Sequence, residues 1–235
     1  MEILEIQKVD LTSFCYLNKG RYPFLLESVN HNENNRYSIL FAFPGDNIVL
    51  KNFSDFDFLK ELQDKSKSTI LDSELPFIGG WFVYLSYELI GQIESTLASK
   101  LHKSTLPIAY AVQVPSAIIV DHKLDKTFII DQDNNQSRIN SILSDIKLLN
   151  KTPTQRIKGS QSEEVENKFI DGVKSSLDYI VAGDVFQVNL SRKWQYQLTE
   201  TTDSAIIYNA LKKANPAPFS ALIQYENFSI ISSSP

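Results

Sequence analysis

The stretch Asp178-Tyr179-Ile180-Val181-Ala182-Gly183-Asp184-Val185-Phe186-Gln187-Val188-Asn189-Leu190-Ser191 changes its hydrophobic period midway. Before Gly183 the apolar residues recur at helical spacing, with Val165, Phe169, Val173, Leu177 and Ile180 forming one stripe expected to be buried. Ser162 is the expected N-cap, and Glu163, Glu164 and Glu166 suit the positive end of the helix. Gly183 is the residue type that accepts the left-handed conformation at which helices stop. After it the period falls to two. Phe186, Val188, Leu190 and Trp194 share one face of a predicted strand, while Gln187, Asn189 and Ser191 share the other. A second helix over 203–214 then leads through Asn215-Pro216-Ala217-Pro218 to a hairpin, Phe219–Gln224 and Phe228–Ser233, turning at Glu226-Asn227.

Upstream of this stretch, residues 151–162 are polar, contain Pro153 and Gly159, and read as a linker. Before the linker, strands are expected at 24–28 and 37–43, the second ending at the turn Pro44-Gly45-Asp46. Phe56, Leu59 and Leu62 suggest a short helix, and Trp81 to Leu89 is an apolar, aromatic run. Segments 115–120 and 127–130 read as paired strands joined by Asp121-His122-Lys123, followed by a helix over 137–149 carrying Ile139, Ile142, Leu143, Ile146 and Leu149. Helices and strands mix without regular alternation. The expected fold is therefore α+β, with largely antiparallel sheets flanked by helices. The expected organisation is a first domain over 1–150, a linker over 151–162, and the start of a second domain over 163–235.

Composition narrows the partners. Apolar residues make up 43% and charged residues 22% of 235, the usage of an ordinary soluble globular protein. A net charge of −5 argues against nucleic acid, which needs clustered Lys and Arg. No apolar run approaches the roughly 20 residues of a membrane span. The acidic start, Met1-Glu2-Ile3-Leu4-Glu5, lacks the basic region of a secretory signal. The lone Cys15 allows no internal disulfide and reads as a buried small hydrophobe, so a cytoplasmic location is expected.

Few local motifs carry chemistry by themselves. Gly79-Gly80 permits a close turn but is no phosphate loop, because neither Gly-x-Gly-x-x-Gly nor Lys-Ser/Thr follows. His31, His102 and His122 are widely separated, and no carboxylate cluster has metal-ligand spacing. Asp121-His122 lacks a Ser or Cys partner in sequence and reads as a turn.

The order of Ala182-Gly183-Asp184-Val185-Phe186-Gln187-Val188-Asn189-Leu190, then Asn215-Pro216-Ala217-Pro218-Phe219-Ser220, then Ser232-Ser233-Ser234-Pro235 resembles the chorismate-utilising enzymes. The resemblance is to the first half of component I of aminodeoxychorismate synthase and of anthranilate synthase. It is nearest the former branch, which tends to carry Gln-Val-Asn-Leu where anthranilate synthases carry Gln-Val-Val-Leu. Asn-Pro-Ala-Pro-Phe points the same way, the other branch preferring Asn-Pro-Ser-Pro-Tyr. The resemblance implies antiparallel sheets packed between helices and an unpaired edge on the final hairpin. It also implies a tryptophan pocket formed by Glu27, Ser28, Asn34, Asn35, Arg36, Tyr37, Pro218, Phe219 and Ser220. There Glu27 would face the ammonium, Arg36 the carboxylate, and Phe219 the ring. The plain alternative is a half-buried strand edge whose Glu and Arg are solvated.

Enzymes of this type replace the C4 hydroxyl of chorismate with ammonia supplied by a glutamine amidotransferase subunit, giving 4-amino-4-deoxychorismate for para-aminobenzoate and folate synthesis. Magnesium holds the substrate carboxylate, and general acids assist the departure of hydroxide. In the family a Glu follows Ser-Pro, and the catalytic lysine, histidine and metal-binding glutamates come later still. Catalytic residues are thus expected beyond Pro235, with no metal bound by this chain alone. The open alternatives are an anthranilate synthase component I fragment, a non-catalytic tryptophan-binding module, and a structural fragment completed by a second polypeptide.

Overall fold

Asp10, Asp57, Asn135 and Asp203 each accept a backbone N–H two or three residues ahead, and each begins a helix by satisfying one of its orphan donors. The computed structural model describes residues 1–30, 35–66, 73–100 and 105–234. In chain order the elements are β1 (Glu2–Ile6), α1 (Leu11–Leu17), β2 (Phe24–Glu27), β3 (Tyr37–Ala42), β4 (Asn47–Leu50) and α2 (Phe58–Lys65). There follow β5 (Gly80–Leu85), α3 (Ile90–Ile93), β6 (Ala109–Val114), β7 (Ser116–Asp121), β8 (Lys126–Asp131) and α4 (Gln136–Leu148). The last are β9 (Gly159–Glu163), α5 (Glu166–Ala182), β10 (Trp194–Leu198), α6 (Ser204–Ala214), β11 (Phe219–Tyr225) and β12 (Phe228–Ser234).

The chain forms two compact units, Met1–Thr154 with Asp203–Pro235, and Gln155–Thr202. In the first, seven antiparallel strands run in the order β1-β8-β7-β3-β2-β11-β12, and a second sheet has the order β4-β6-β5. Strand alternation sorts the side chains of the large sheet. Leu25, Leu40, Ile118 and Leu222 face Phe14 and Cys15 of α1, Ile139 and Ile142 of α4, and Ala205 and Tyr208 of α6. Phe24 and Phe41 on the opposite face meet Phe82, Tyr110 and Val112 of the smaller sheet, with Phe24 stacked on Phe82 at 4.1 Å between centroids. The outer face of the smaller sheet buries Ile48, Leu50, Ala109 and Ala111 against Phe58 of α2. This is the expected α+β architecture of antiparallel sheets between helices. At Gly79, φ is +117° and a Cβ would collide with the Gln132 side chain, so only glycine fits there.

In the second unit, α5 stops at Gly183 with φ +81°, as its sequence predicts. Other expectations for this region are corrected. The helix begins at Val165, not Ser162, because Ser162 lies in β9 paired with Gln195 of β10. The supposed linker therefore contains a strand. Residues 186–191 are not a strand, and Phe186 is fully exposed. A strand needs a partner for its N–H and C=O groups, and among the described residues β9 pairs with 194–198 while no strand pairs with 186–191. The stripe Phe169, Leu177 and Ile180 is exposed, not buried. The compact division also departs from the boundaries drawn at 150 and 163, since β11 pairs with β2 and carries 203–235 into the first unit.

Candidate functional site

The segments singled out by sequence meet at one end of β3, β2 and β11. Ser220 pairs with Glu27, Leu222 with Leu25, and Leu25 with Leu40. The chain leaving β2 is held by Ala217, whose carbonyl accepts the N–H groups of Val29 at 3.1 Å and Asn30 at 3.3 Å. Ser28 donates its hydroxyl to the Tyr37 carbonyl at 3.0 Å and its N–H to Ser38 Oγ, also at 3.0 Å. Asn35 and Ser220 are buried and Pro218 is half-buried, whereas Asn34 lies outside the described residues.

The same pairing that unites these segments divides their side chains. Residues opposite one another in a ladder share a face and adjacent residues point apart. Glu27 and Ser220 therefore face the helices, while Phe219 and Leu26 face the other side with Ile39 and Phe41. The arrangement expected from sequence, with Glu27 on an ammonium and Phe219 on a ring of one ligand, would place the sheet between them. Arg36 is also occupied. Its Nε donates to Asp121 Oδ1 at 2.9 Å and its Nη2 to Oδ2 at 2.6 Å, and its guanidinium lies 4.7 Å from the Tyr37 ring centroid. That fork holds the Asp121 carboxyl below the usual range despite burial, helped by the N–H groups of Lys123 and Leu124. Asp121-His122 is the turn the sequence suggests, but its carboxylate anchors Arg36.

Glu27 is the centre of a polar network on the helix side. Tyr208 Oη donates to Glu27 Oε2 at 2.7 Å, and Lys212 Nζ reaches Oε2 at 3.2 Å and Thr12 Oγ1 at 2.6 Å. Asp10 lies 3.6 Å from the same ammonium. Burial, then the Glu27 charge, pushes the Tyr208 phenol up, and the same two influences raise the buried Cys15 thiol. Cys15 is thus the buried, unreactive thiol expected from sequence. Sequence reading missed Tyr208, Lys212 and Thr12, although Tyr208 and Lys212 stand four apart on α6 and must share a face. It also missed Ser38, whose Oγ lies 2.7 Å from His122 Nε2. No periodicity joins residues separated by 84 positions.

On the sheet-facing side, Phe219 is 63% and Leu26 39% exposed, leaving an apolar surface beside Ser28. Among the described residues, no three His, Cys, Asp or Glu side chains come together to hold a metal ion. No described helix is long and apolar enough to cross a membrane. Gln187 and Asn189 hydrogen-bond each other at 3.3 Å on an exposed segment.

Comparison with known proteins places this geometry. Anthranilate synthase component 1 of Lactococcus lactis is 25% identical over 92% of this chain and 53% of its own length. Aminodeoxychorismate synthase component 1 of Bacillus subtilis is 27% identical over 73% of this chain and 39% of its own. The crystal structure of anthranilate synthase component I from Streptococcus pneumoniae shares the fold, with a TM-score of 0.69 over 87% of this chain and 51% of that one, at 23% identity. The chain spans about half the length of these relatives. A family model for the chorismate binding enzymes matches residues 21–235, the whole of the sheet end described above included, and the chain belongs to that family.

Proposed function

We propose that the chain is the N-terminal part of an aminodeoxychorismate synthase component I, which with the rest of the fold converts chorismate and ammonia to 4-amino-4-deoxychorismate. The ammonia would come from a glutamine amidotransferase subunit. The observation that carries the reading is the family match over 21–235 together with Asn189 and Ala217-Pro218-Phe219, the choices that the resemblance associates with this branch.

Replacing a hydroxyl by ammonia requires a proton for the departing oxygen. Buried carboxylates of the described residues are poorly suited to give one. Asp121 and Asp131 are held by Arg36 and Arg138, Asp145 by Arg21, and Glu27 by Lys212. The Arg36 and Arg138 guanidinium groups hold the Asp121 and Asp131 carboxyls below the ordinary carboxylate range, which makes these two acceptors and not acids. These groups build the scaffold. General acids and magnesium ligands are accordingly assigned to no residue of this chain, and purified protein should give no product from chorismate, magnesium and ammonium salt.

The decisive experiment completes the fold with the remaining half and identifies the product by chromatography. Aminodeoxychorismate supports the reading, and anthranilate overturns it in favour of the second reading, an anthranilate synthase component I fragment. That second reading is favoured by the names of the Lactococcus and Streptococcus relatives. Tryptophan remains a proposed ligand of the sheet-facing surface at Leu26, Ser28 and Phe219. Calorimetry on wild type and Phe219→Ala tests it, and equal heats from both would remove Phe219 from any such site.

A further inference from the structure

A cavity of about 530 Å³ lies between the start of α1, the end of α4 with the segment that follows it, and α6, within the larger unit. Its size is that of a small-molecule site. It is distinct from the sheet-facing surface at Leu26, Ser28 and Phe219, none of which lines it. Val9, Ile146 and Leu149 give it an apolar wall, anchored against the main core. Ser13 and Thr152 contribute polar groups that are already matched to each other, Oγ to Oγ1 at 3.2 Å. Asn209 is different. Its side chain lines the cavity and is 7% exposed, yet its carboxamide makes no hydrogen bond among the described residues. Buried amides are seldom left unmatched, and a partner can reach this one from the cavity.

Charge decides the sign of that partner. Asp10 is occupied within the protein: it accepts the Ser13 hydroxyl at 2.7 Å and the Thr12 N–H at 3.3 Å, and lies 3.6 Å from Lys212. Lys212 is in turn held by Glu27 at 3.2 Å. Lys151 and Lys213 also line the cavity, and among the described residues neither makes an ion pair. The Lys213 ammonium has only the Thr154 hydroxyl, at 3.5 Å. Asn209 and Lys213 stand four apart on α6, so amide and ammonium border the cavity from one helix face. The negative end of α6 accounts for lysines in its last turn, but neither for the cavity nor for the unmatched amide.

We propose that this cavity binds a small carboxylate with an apolar or aromatic body. The carboxylate takes the Lys151 and Lys213 ammonium groups and the Asn209 amide, while the body rests on Val9, Ile146 and Leu149. An inorganic anion would leave the apolar wall in water, and a neutral apolar molecule would leave both cations and the amide unused. The inference stands on the cavity and its lining, not on which chorismate product is made.

Calorimetry on the 235-residue chain tests it with 3-phenylpropionate, and with 3-phenylpropionamide as a neutral molecule of the same shape. The expected result is saturable one-to-one binding of the carboxylate, at least about tenfold tighter than the amide. Lys151→Met with Lys213→Met should weaken that binding at least about tenfold and leave the melt unchanged, since both side chains are exposed. Asn209→Leu should weaken it as well; if that variant does not fold, the lysine variant decides. Phe219→Ala should leave the affinity unchanged. Absence of saturable binding, equal affinity for carboxylate and amide, or an affinity untouched by the lysine variant would overturn the proposal. So would loss of binding in Phe219→Ala, which would move the anion to the sheet-facing surface. Product identity in a completed enzyme moves none of these readouts, so the two proposals fail separately.

Discussion

Glu27 and Lys212 are 15% and 14% exposed at their side chains, and each is the other's main compensation for leaving water. Lys212→Met should lower stability by roughly 2–4 kcal/mol in urea unfolding, because Glu27 loses its cation and, among the described residues, keeps the Tyr208 hydroxyl. Adding Glu27→Gln should recover part of that loss; a double variant no more stable than Lys212→Met would show that the pair is not coupled. Asp131 makes a pH prediction. Burial alone would raise its pKa, but Arg138, the Ser116 hydroxyl and the Asn135 N–H outweigh burial and hold it at about 2. A depressed folded value means that its contribution is complete above the ordinary carboxylate range and disappears as pH falls from about 4 to 2. The loss should be about 2 kcal/mol, and Asp131→Asn should flatten the stability profile in that window.

At the scale of elements, end signals act with different weight according to what the helix packs on. Asn135 accepts the N–H groups of Ser137 and Arg138 and starts α4, which buries Ile139 and Ile142 in the main core. Asn135→Ala should cost about 1 kcal/mol and lower Tm by roughly 2–4 °C. Gly183→Ala should strain the C-terminus of α5 by a similar amount, because φ there is +81°. Yet the main Tm should hardly move, since α5 contributes no buried residue. Calorimetry of both variants separates the cases; equal shifts in Tm would show that α5 belongs to the main cooperative unit.

For the whole molecule, the two units differ in what stabilises them. Unit Met1–Thr154 with Asp203–Pro235 has four clusters of buried hydrophobic residues around its sheets, whereas among the described residues Gln155–Thr202 has no buried residue. Hydrophobic burial is the dominant favourable contribution to folding, so the smaller unit should open well before the larger. Native-state hydrogen exchange should find α5 amides at least about a hundredfold faster than those of β3 and β7 in the isolated chain. Matched rates would require a stabilising contact for α5 that its exposure does not suggest.

Much was legible locally. Strand-like runs and the turn signals beside them marked β2, β3, β7, β8 and the β11–β12 hairpin, helical spacing marked α4, and Gly183 marked the end of α5, because each depends on neighbours within a few residues. β1 and α1 were missed, since both are short and gain their stability from distant partners, β1 from β8 and α1 from α6. The predicted strand at 186–191 failed for the converse reason: a good alternating pattern pairs with no other strand among the described residues. The motif segments did converge on one sheet end. Which face each side chain takes, and that Arg36 belongs to Asp121 and Glu27 to Lys212, required the register between strands and helices far apart in sequence. Periodicity assigns a residue to one of two faces of its own strand, and only tertiary pairing decides what lies across from it.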